Sequence, residues 1–111
     1  EDYLPIIYGP KDKIAFITDK FVKFNNILGE EFIKIHKITF TRKEDWTIQT
    51  LDGMKIKLNE ERSEENLKRF VSNFQKILKS TNKRISNVDL RYRDGFAIEV
   101  ESKGNQIQNK L

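Results

Sequence analysis

Cysteine is missing from all 111 residues. Disulfides and thiolate metal sites are therefore excluded, while the redox compartment stays open. Histidine occurs once, at position 36. With no second imidazole and no thiol, His36 has no companion ligand and no sequence-level partner for a nucleophilic triad. A structural or surface role is expected for it. The five glycines are scattered through turns and the C-terminal stretch, so no glycine-rich phosphate loop is present. Apolar runs stay far below the roughly 18 residues of a membrane span. The first residues are charged and lead into a strand-like segment, unlike a signal peptide. Methionine does not open the chain. The chain is expected to start inside a longer protein, with any export or anchoring segment upstream.

What the chain does have is aromatic bulk and charge. Eight Phe, three Tyr and one Trp supply most of the core volume. A hydrophobic fraction of 37% beside a charged fraction of 34% suits one soluble domain with its own core. Lysine and arginine number 21 against 17 acidic residues, for a net charge of +4. Such a balance invites a nucleic-acid reading, and a small basic nucleic-acid-binding α+β domain is the alternative function. The basic residues are nevertheless interleaved with Glu and Asp along the chain, the pattern of a solvated mixed-charge surface. No nucleic-acid partner is expected. Acidic pairs such as Glu30-Glu31 and Glu60-Glu61 fall in loops, which suits solvation better than acid–base work. No catalytic residue, metal site or cofactor is expected, and the chain reads as a binding protein rather than an enzyme.

Hydrophobic periodicity orders the elements. Tyr3 to Tyr8 reads as a short strand, ended by Gly9-Pro10 and kept at an edge by Pro5, which cannot donate to a ladder. Asp12 suits a helix N-cap. Ile14, Ile17, Phe21, Phe24 and Leu28 recur at steps of three and four, one apolar helical stripe with Lys13, Asp19, Lys20 and Lys23 turned outward. Gly29 suits a left-handed C-terminal cap. Phe32 to Arg42 reads as a strand whose apolar phase switches between Ile35 and Ile38, which requires a bulge or a strand start near His36. Ser63 suits the N-cap of a second helix, with Glu64 and Glu65 favourable to its dipole. Leu67, Phe70, Val71, Phe74, Ile77 and Leu78 form its stripe, with Lys68 and Arg69 off it, and Ser80-Thr81-Asn82 ends it.

Two hairpins share one grammar. In the first, a three-residue loop Leu51-Asp52-Gly53 pairs Trp46 with Leu58, Ile48 with Ile56 and Thr50 with Met54. This keeps the apolar residues on one face, which a two-residue loop does not. In the second, Arg93-Asp94-Gly95 pairs Tyr92 with Phe96, Leu90 with Ile98 and Val88 with Val100. Gly53 and Gly95 both take the position that wants positive φ. The expected fold is α+β, in the order β-α-β-β-β-α-β-β. Its sheet is mostly antiparallel and built of hairpins, with two helices packed on one face. Residues 1–101 form the domain, and residues 102–111, which lack periodicity, a flexible tail.

Nothing strand-like follows the last strand. Its N–H and C=O groups are then on offer at a sheet edge, either blunted by Glu99 and Glu101 or used for strand addition by a partner. Four segments resemble, in order and spacing, the C-terminal periplasmic β domain of the bacterial FtsQ/DivIB cell-division family. They are Leu4-Pro5-Ile6-Ile7-Tyr8-Gly9-Pro10 ahead of a helix, the basic pair Arg42-Lys43 before Trp46, the helix carrying Leu67-Lys68-Arg69-Phe70-Val71, and Val88-Asp89-Leu90-Arg91-Tyr92 with Gly95. The resemblance implies a scaffold of the division machinery (the divisome), with a transmembrane helix and a POTRA domain upstream. It thus implies a periplasmic domain of a single-pass inner-membrane protein at the division septum. It implies FtsB as partner, and through it FtsL and other divisome proteins, with a strand of FtsB adding to the last strand. Carried over by position, the FtsB site is Tyr92, Asp94, Gly95 and the strand Phe96, Ala97, Ile98, Glu99 and Val100. Arg91 and one of Arg42 or Lys43 are added as charge partners for an acidic residue of FtsB. Asp94 stands where some members have Ser, and Val100 where some have Trp. The hairpin register puts Tyr92 on the core face, whereas this role needs its hydroxyl accessible; a tyrosine at the rim satisfies both.

If the positive charge is compositional, the chain binds DNA only weakly near physiological salt. Fluorescence anisotropy with duplex and single-stranded DNA is expected to show no submicromolar affinity. Submicromolar binding that falls steeply with salt, as counterion release demands, would put the nucleic-acid reading first.

Overall fold

The computed structural model describes residues 4–101; Tyr3 and the expected tail, residues 102–111, lie outside them. Six strands form one sheet in chain order: β1 (Ile6–Tyr8), β2 (Ile35–Phe40), β3 (Asp45–Thr50), β4 (Lys55–Asn59), β5 (Arg84–Asp89) and β6 (Ala97–Glu101). The joints β2–β3, β3–β4 and β5–β6 are antiparallel, whereas β1–β2 and β4–β5 are parallel. A parallel joint needs a crossover. Helix α1 (Ile14–Gly29) supplies the first, and α2 (Ser63–Ser72) with α3 (Phe74–Lys79) supplies the second. Both crossovers step the same way along the sheet between strands of like direction. Their usual right-handed sense therefore puts both helical layers on one face, where α1 packs against α2. The chain runs β-α-β-β twice. The α+β order expected from periodicity holds, in a mixed sheet.

Alternation along the strands places the core under the helices. Ile38 and Phe40, Trp46 and Ile48, and Ile56 and Leu58 are buried, together with Ile17, Phe24 and Leu28 of α1 and Leu67 and Phe70 of α2. Trp46 is its aromatic centre, 4.4 Å from Phe40 and edge-on to Phe24 at 5.2 Å. The opposite face carries Lys37, Thr39, Thr47, Gln49, Lys55, Lys57, Asn87, Asp89 and Glu99 on alternate positions. The bulge expected near His36 lies between Ile35 and Lys37. It lets Ile35, Ile38 and Phe40 all face the core and leaves His36 exposed. The first hairpin keeps the expected register, with Trp46 opposite Leu58 and Ile48 opposite Ile56, and Gly53 holds φ +95.

The helix ends differ from expectation. Asp12 does not cap α1. It lies in a 3-10 turn, Lys11–Lys13, and its carboxylate accepts from Arg42 at 2.6 Å. Gly29 is not the left-handed residue at the other end. The coil tightens through Glu30 and Glu31, and Phe32 takes φ 60. The Ile33 N–H then reaches the Leu28 carbonyl at 3.1 Å, and that of Phe32 the Gly29 carbonyl at 3.0 Å, closing a Schellman motif. Ser63 is the first residue of α2, preceded by Arg62 at φ 64. The second stripe breaks at Asn73, whose side chain donates to the Arg69 carbonyl at 2.8 Å.

Lys20 is the largest departure. Periodicity turns it outward, yet it is 6% exposed. Its ammonium donates to Ser63 Oγ and to Glu64 Oε2, each at 3.0 Å, lies 3.4 Å from Glu60 Oε2, and sits over the Phe24 ring at 5.2 Å. Glu60 in turn accepts from Trp46 Nε1 at 2.7 Å. Ser63 serves as an acceptor for a buried cation, not as a cap. Replacing Lys20 by Met keeps the bulk and deletes the charge. Because both glutamates retain contact with water, the expected loss is about 1–3 kcal/mol rather than that of a fully buried pair. Urea unfolding of Lys20→Met checks this; no loss would show that the network holds geometry without adding stability.

Candidate functional site: an open sheet edge and the connection that leads into it

β6 is an outermost strand, paired on one side by β5. The second hairpin does not take the expected three-residue loop. Val88 pairs with Ile98, Asp89 with Ala97 and Ile85 with Val100, and the connection runs from Leu90 to Phe96. A tertiary contact displaces the register beside the turn, and a bulge between Ile85 and Asn87 shifts it once more farther from the turn. Leu90, expected to face Ile98, instead leaves β5 on the β4 side, its N–H bonded to the Lys57 carbonyl at 2.9 Å and its side chain buried. Gly95 holds the expected positive φ, +126.

This register changes the standing of each candidate residue. Tyr92, freed from the core face, is 54% exposed, so its accessibility no longer conflicts with its place in the chain. Arg93 and Asp94 are exposed beside it, and Phe96 is half-buried ahead of the strand, edge-on to Phe70 at 6.0 Å. On β6, Ala97 and Glu99 face the open side of the sheet. Ile98 is half-buried on the helical side, and Val100, expected inward, stays 38% exposed at the edge. The Glu99 carbonyl accepts from Ser86 Oγ at 3.3 Å, so the backbone groups of Glu99 face β5. By ladder alternation those of Ile98 and Val100 face outward, without a strand partner among the described residues. The Glu99 side chain is held by Asn87 Nδ2 at 2.7 Å and that of Glu101 by Arg84 at 3.2 Å.

The two basic candidates are already engaged. Arg91 lies past the end of β5 and grips Asp89 with two bonds of 2.8 Å. Arg42 lies in the β2–β3 connection and holds Asp12, while Lys43 is exposed. Both connections are at the same end of the sheet, but β2 and β5 are three strand spacings apart, about 14 Å. Sequence reasoning missed Asn66 and Arg69, which bond to the connection from α2. Their signal was a spacing of three that puts both on the helix face beside Phe70. Among the described residues no cluster of three His, Cys, Asp or Glu could hold a metal ion, and no helix is long and apolar enough to cross a membrane.

Fold and edge together define an α+β domain whose mixed sheet, among the described residues, ends in a strand with one open edge, preceded by an exposed, tyrosine-bearing connection. Residues 1–91 match the family model described as cell division protein FtsQ/DivIB, C-terminal, and the chain belongs to that family. It is 27% identical over 101 residues to cell division protein FtsQ of Neisseria meningitidis, covering 91% of this chain and 43% of that protein. It is 26% identical over 98 residues to FtsQ of Escherichia coli, covering 86% and 36%. The chain thus spans about two fifths of the relatives it matches. The family match stops short of β6.

The Arg91 grip has a pH signature. Its guanidinium bonds hold the Asp89 carboxyl below the ordinary value of 3.8, helped by the Arg91 N–H and by Lys57 and opposed by partial burial. A depressed carboxyl contributes stability that is complete above its unfolded value and is lost as pH falls through the folded one. The Asp89 titration, followed by carboxyl-carbon NMR, is expected to have its midpoint below 3.8. Arg91→Ala should raise that midpoint; an unmoved midpoint would assign the shift elsewhere.

Proposed function

We propose that this domain is a non-catalytic scaffold of bacterial cell division that binds FtsB, and through it FtsL, in the periplasm by strand addition to β6. The observation that carries the reading is the free edge itself, where the outward N–H and C=O groups of Ile98 and Val100 offer a ready ladder. Family membership supports the division role, and the resemblance of Val88 to Gly95 to the family's last hairpin supports FtsB as the occupant. Tyr92, Asp94 and Gly95 flank the entry to the strand, and Arg91 and Arg42 (or Lys43) stand at the same end of the sheet for an acidic residue of the partner. Because Arg91 is bound to Asp89, an incoming carboxylate competes with an internal one, so Arg91 adds selectivity more than affinity. On this reading residues 1–101 are the binding domain, placed outside the inner membrane at the septum by a transmembrane segment elsewhere in the protein.

Proline at Val100 removes one outward N–H and leaves the β5 ladder intact; proline at Glu99 removes an inward one. In calorimetric titration with a peptide from the periplasmic part of FtsB, Val100→Pro is expected to weaken binding by at least about tenfold. It should keep the circular dichroism of the parent, whereas Glu99→Pro should also lose stability. Parent-like affinity in folded Val100→Pro would remove β6 as the site.

A further inference from the structure

We infer that Asn66 and Arg69 of α2 are positioning residues for the partner-binding edge, pinning the connection 90–96 at both ends and so setting where β6 begins. The inference rests on reading that edge as the binding site. Asn66 Nδ2 donates to the Leu90 carbonyl at 3.0 Å, and its Oδ1 accepts from Arg69 Nη1 at 3.1 Å. Arg69 Nη2 donates to the Gly95 carbonyl, also at 3.1 Å. One helical turn thus holds the first residue of the connection and the next to last. The main chain does little of this work. Among the described residues, the one backbone–backbone bond that residues 90–96 make is that from the Leu90 N–H to the Lys57 carbonyl of β4. Gly95 has the connection's one positive φ, so fixing its carbonyl fixes the direction in which the chain enters β6.

Arg69 is an expensive choice for packing alone. It is half-buried, has no carboxylate partner among the described residues, and its buried Nε has no acceptor. A methionine in its place would bury no unpaired Nε, at the cost of the donors that Asn66 Oδ1 and the Gly95 carbonyl now have. What the guanidinium supplies and an apolar side chain does not is a fixed fork, with one arm on Asn66 and the other on Gly95.

Amide hydrogen exchange on the partner-free 111-residue chain separates positioning from general stability. Arg69→Met is expected to accelerate exchange at the ladder amides of Ala97 and Glu99 by about tenfold while those of α1, β2 and β3 keep parental rates. Arg69→Lys, which retains one donor for the Gly95 carbonyl, should recover part of the protection. The FtsB peptide should bind Arg69→Met more weakly than the parent, with partial recovery in Arg69→Lys. Parental exchange at Ala97 and Glu99, acceleration spread evenly over the sheet, or equal affinity in parent and Arg69→Met would each overturn the inference. Should Arg69→Met fail to fold, Arg69→Lys decides alone: local acceleration with weakened binding supports the role, and parental behaviour in both overturns it. A parent chain that does not bind the peptide would instead overturn the strand-addition reading on which the inference rests.

Discussion

A lysine ammonium shut away from water holds the helical layer together. Removing such a charge from solvent costs several kcal/mol unless acceptors converge on it, and here three do: Ser63, Glu64 and Glu60. All three belong to the corner where β4 hands over to α2, and Lys20 belongs to α1. The pairing of two sequence-distant helices is therefore fixed at a charged point and not by greasy contact alone. Glu60 extends the constraint to β3 through the Trp46 indole. With α2 anchored at its first turn, the face bearing Asn66, Arg69 and Phe70 is presented to the connection before β6.

How far the sequence revealed this can be followed residue by residue. Strand pattern and hairpin chemistry were legible wherever a local rule decided them: Gly53 and the apolar alternation set the first hairpin, and the phase switch at His36 located a bulge. The same grammar applied to Arg93-Asp94-Gly95 fails because the competing interaction is non-local. Leu90 bonds to Lys57 of β4, and the β5–β6 pairing stops at Asp89 and Ala97. A helical stripe assigns faces by polarity and so turns Lys20 outward. A lysine that buries its stem and meets carboxylates from the next crossover violates that rule without any trace in its own element. Phe32 in a left-handed position is of the same kind: tight turns carry the chain beyond the obvious glycine, and the left-handed residue is set by the reversal toward β2.

The candidate site illustrates how an edge is made usable. Its side chains are modest, an alanine, a valine and two tethered glutamates, while its main chain is open on one side. Recognition by backbone tolerates such modesty, since the ladder supplies the affinity and the flanking groups the selectivity. Tyr92 and the basic residues lie at the end where the strand begins, so the discriminating chemistry and the generic chemistry occupy adjacent stretches.

The double β-α-β-β course gives the sheet the character of an open-ended array. β3 closes the first unit and receives β4 antiparallel; β6 closes the second in the same direction and so exposes the face of a joint that the chain has already made once. An incoming strand that repeats that joint runs antiparallel to β6, in the place where a third unit would begin. Unplanned pairing at that place is discouraged by the exposed acidic residues Glu99 and Glu101 on the edge strand.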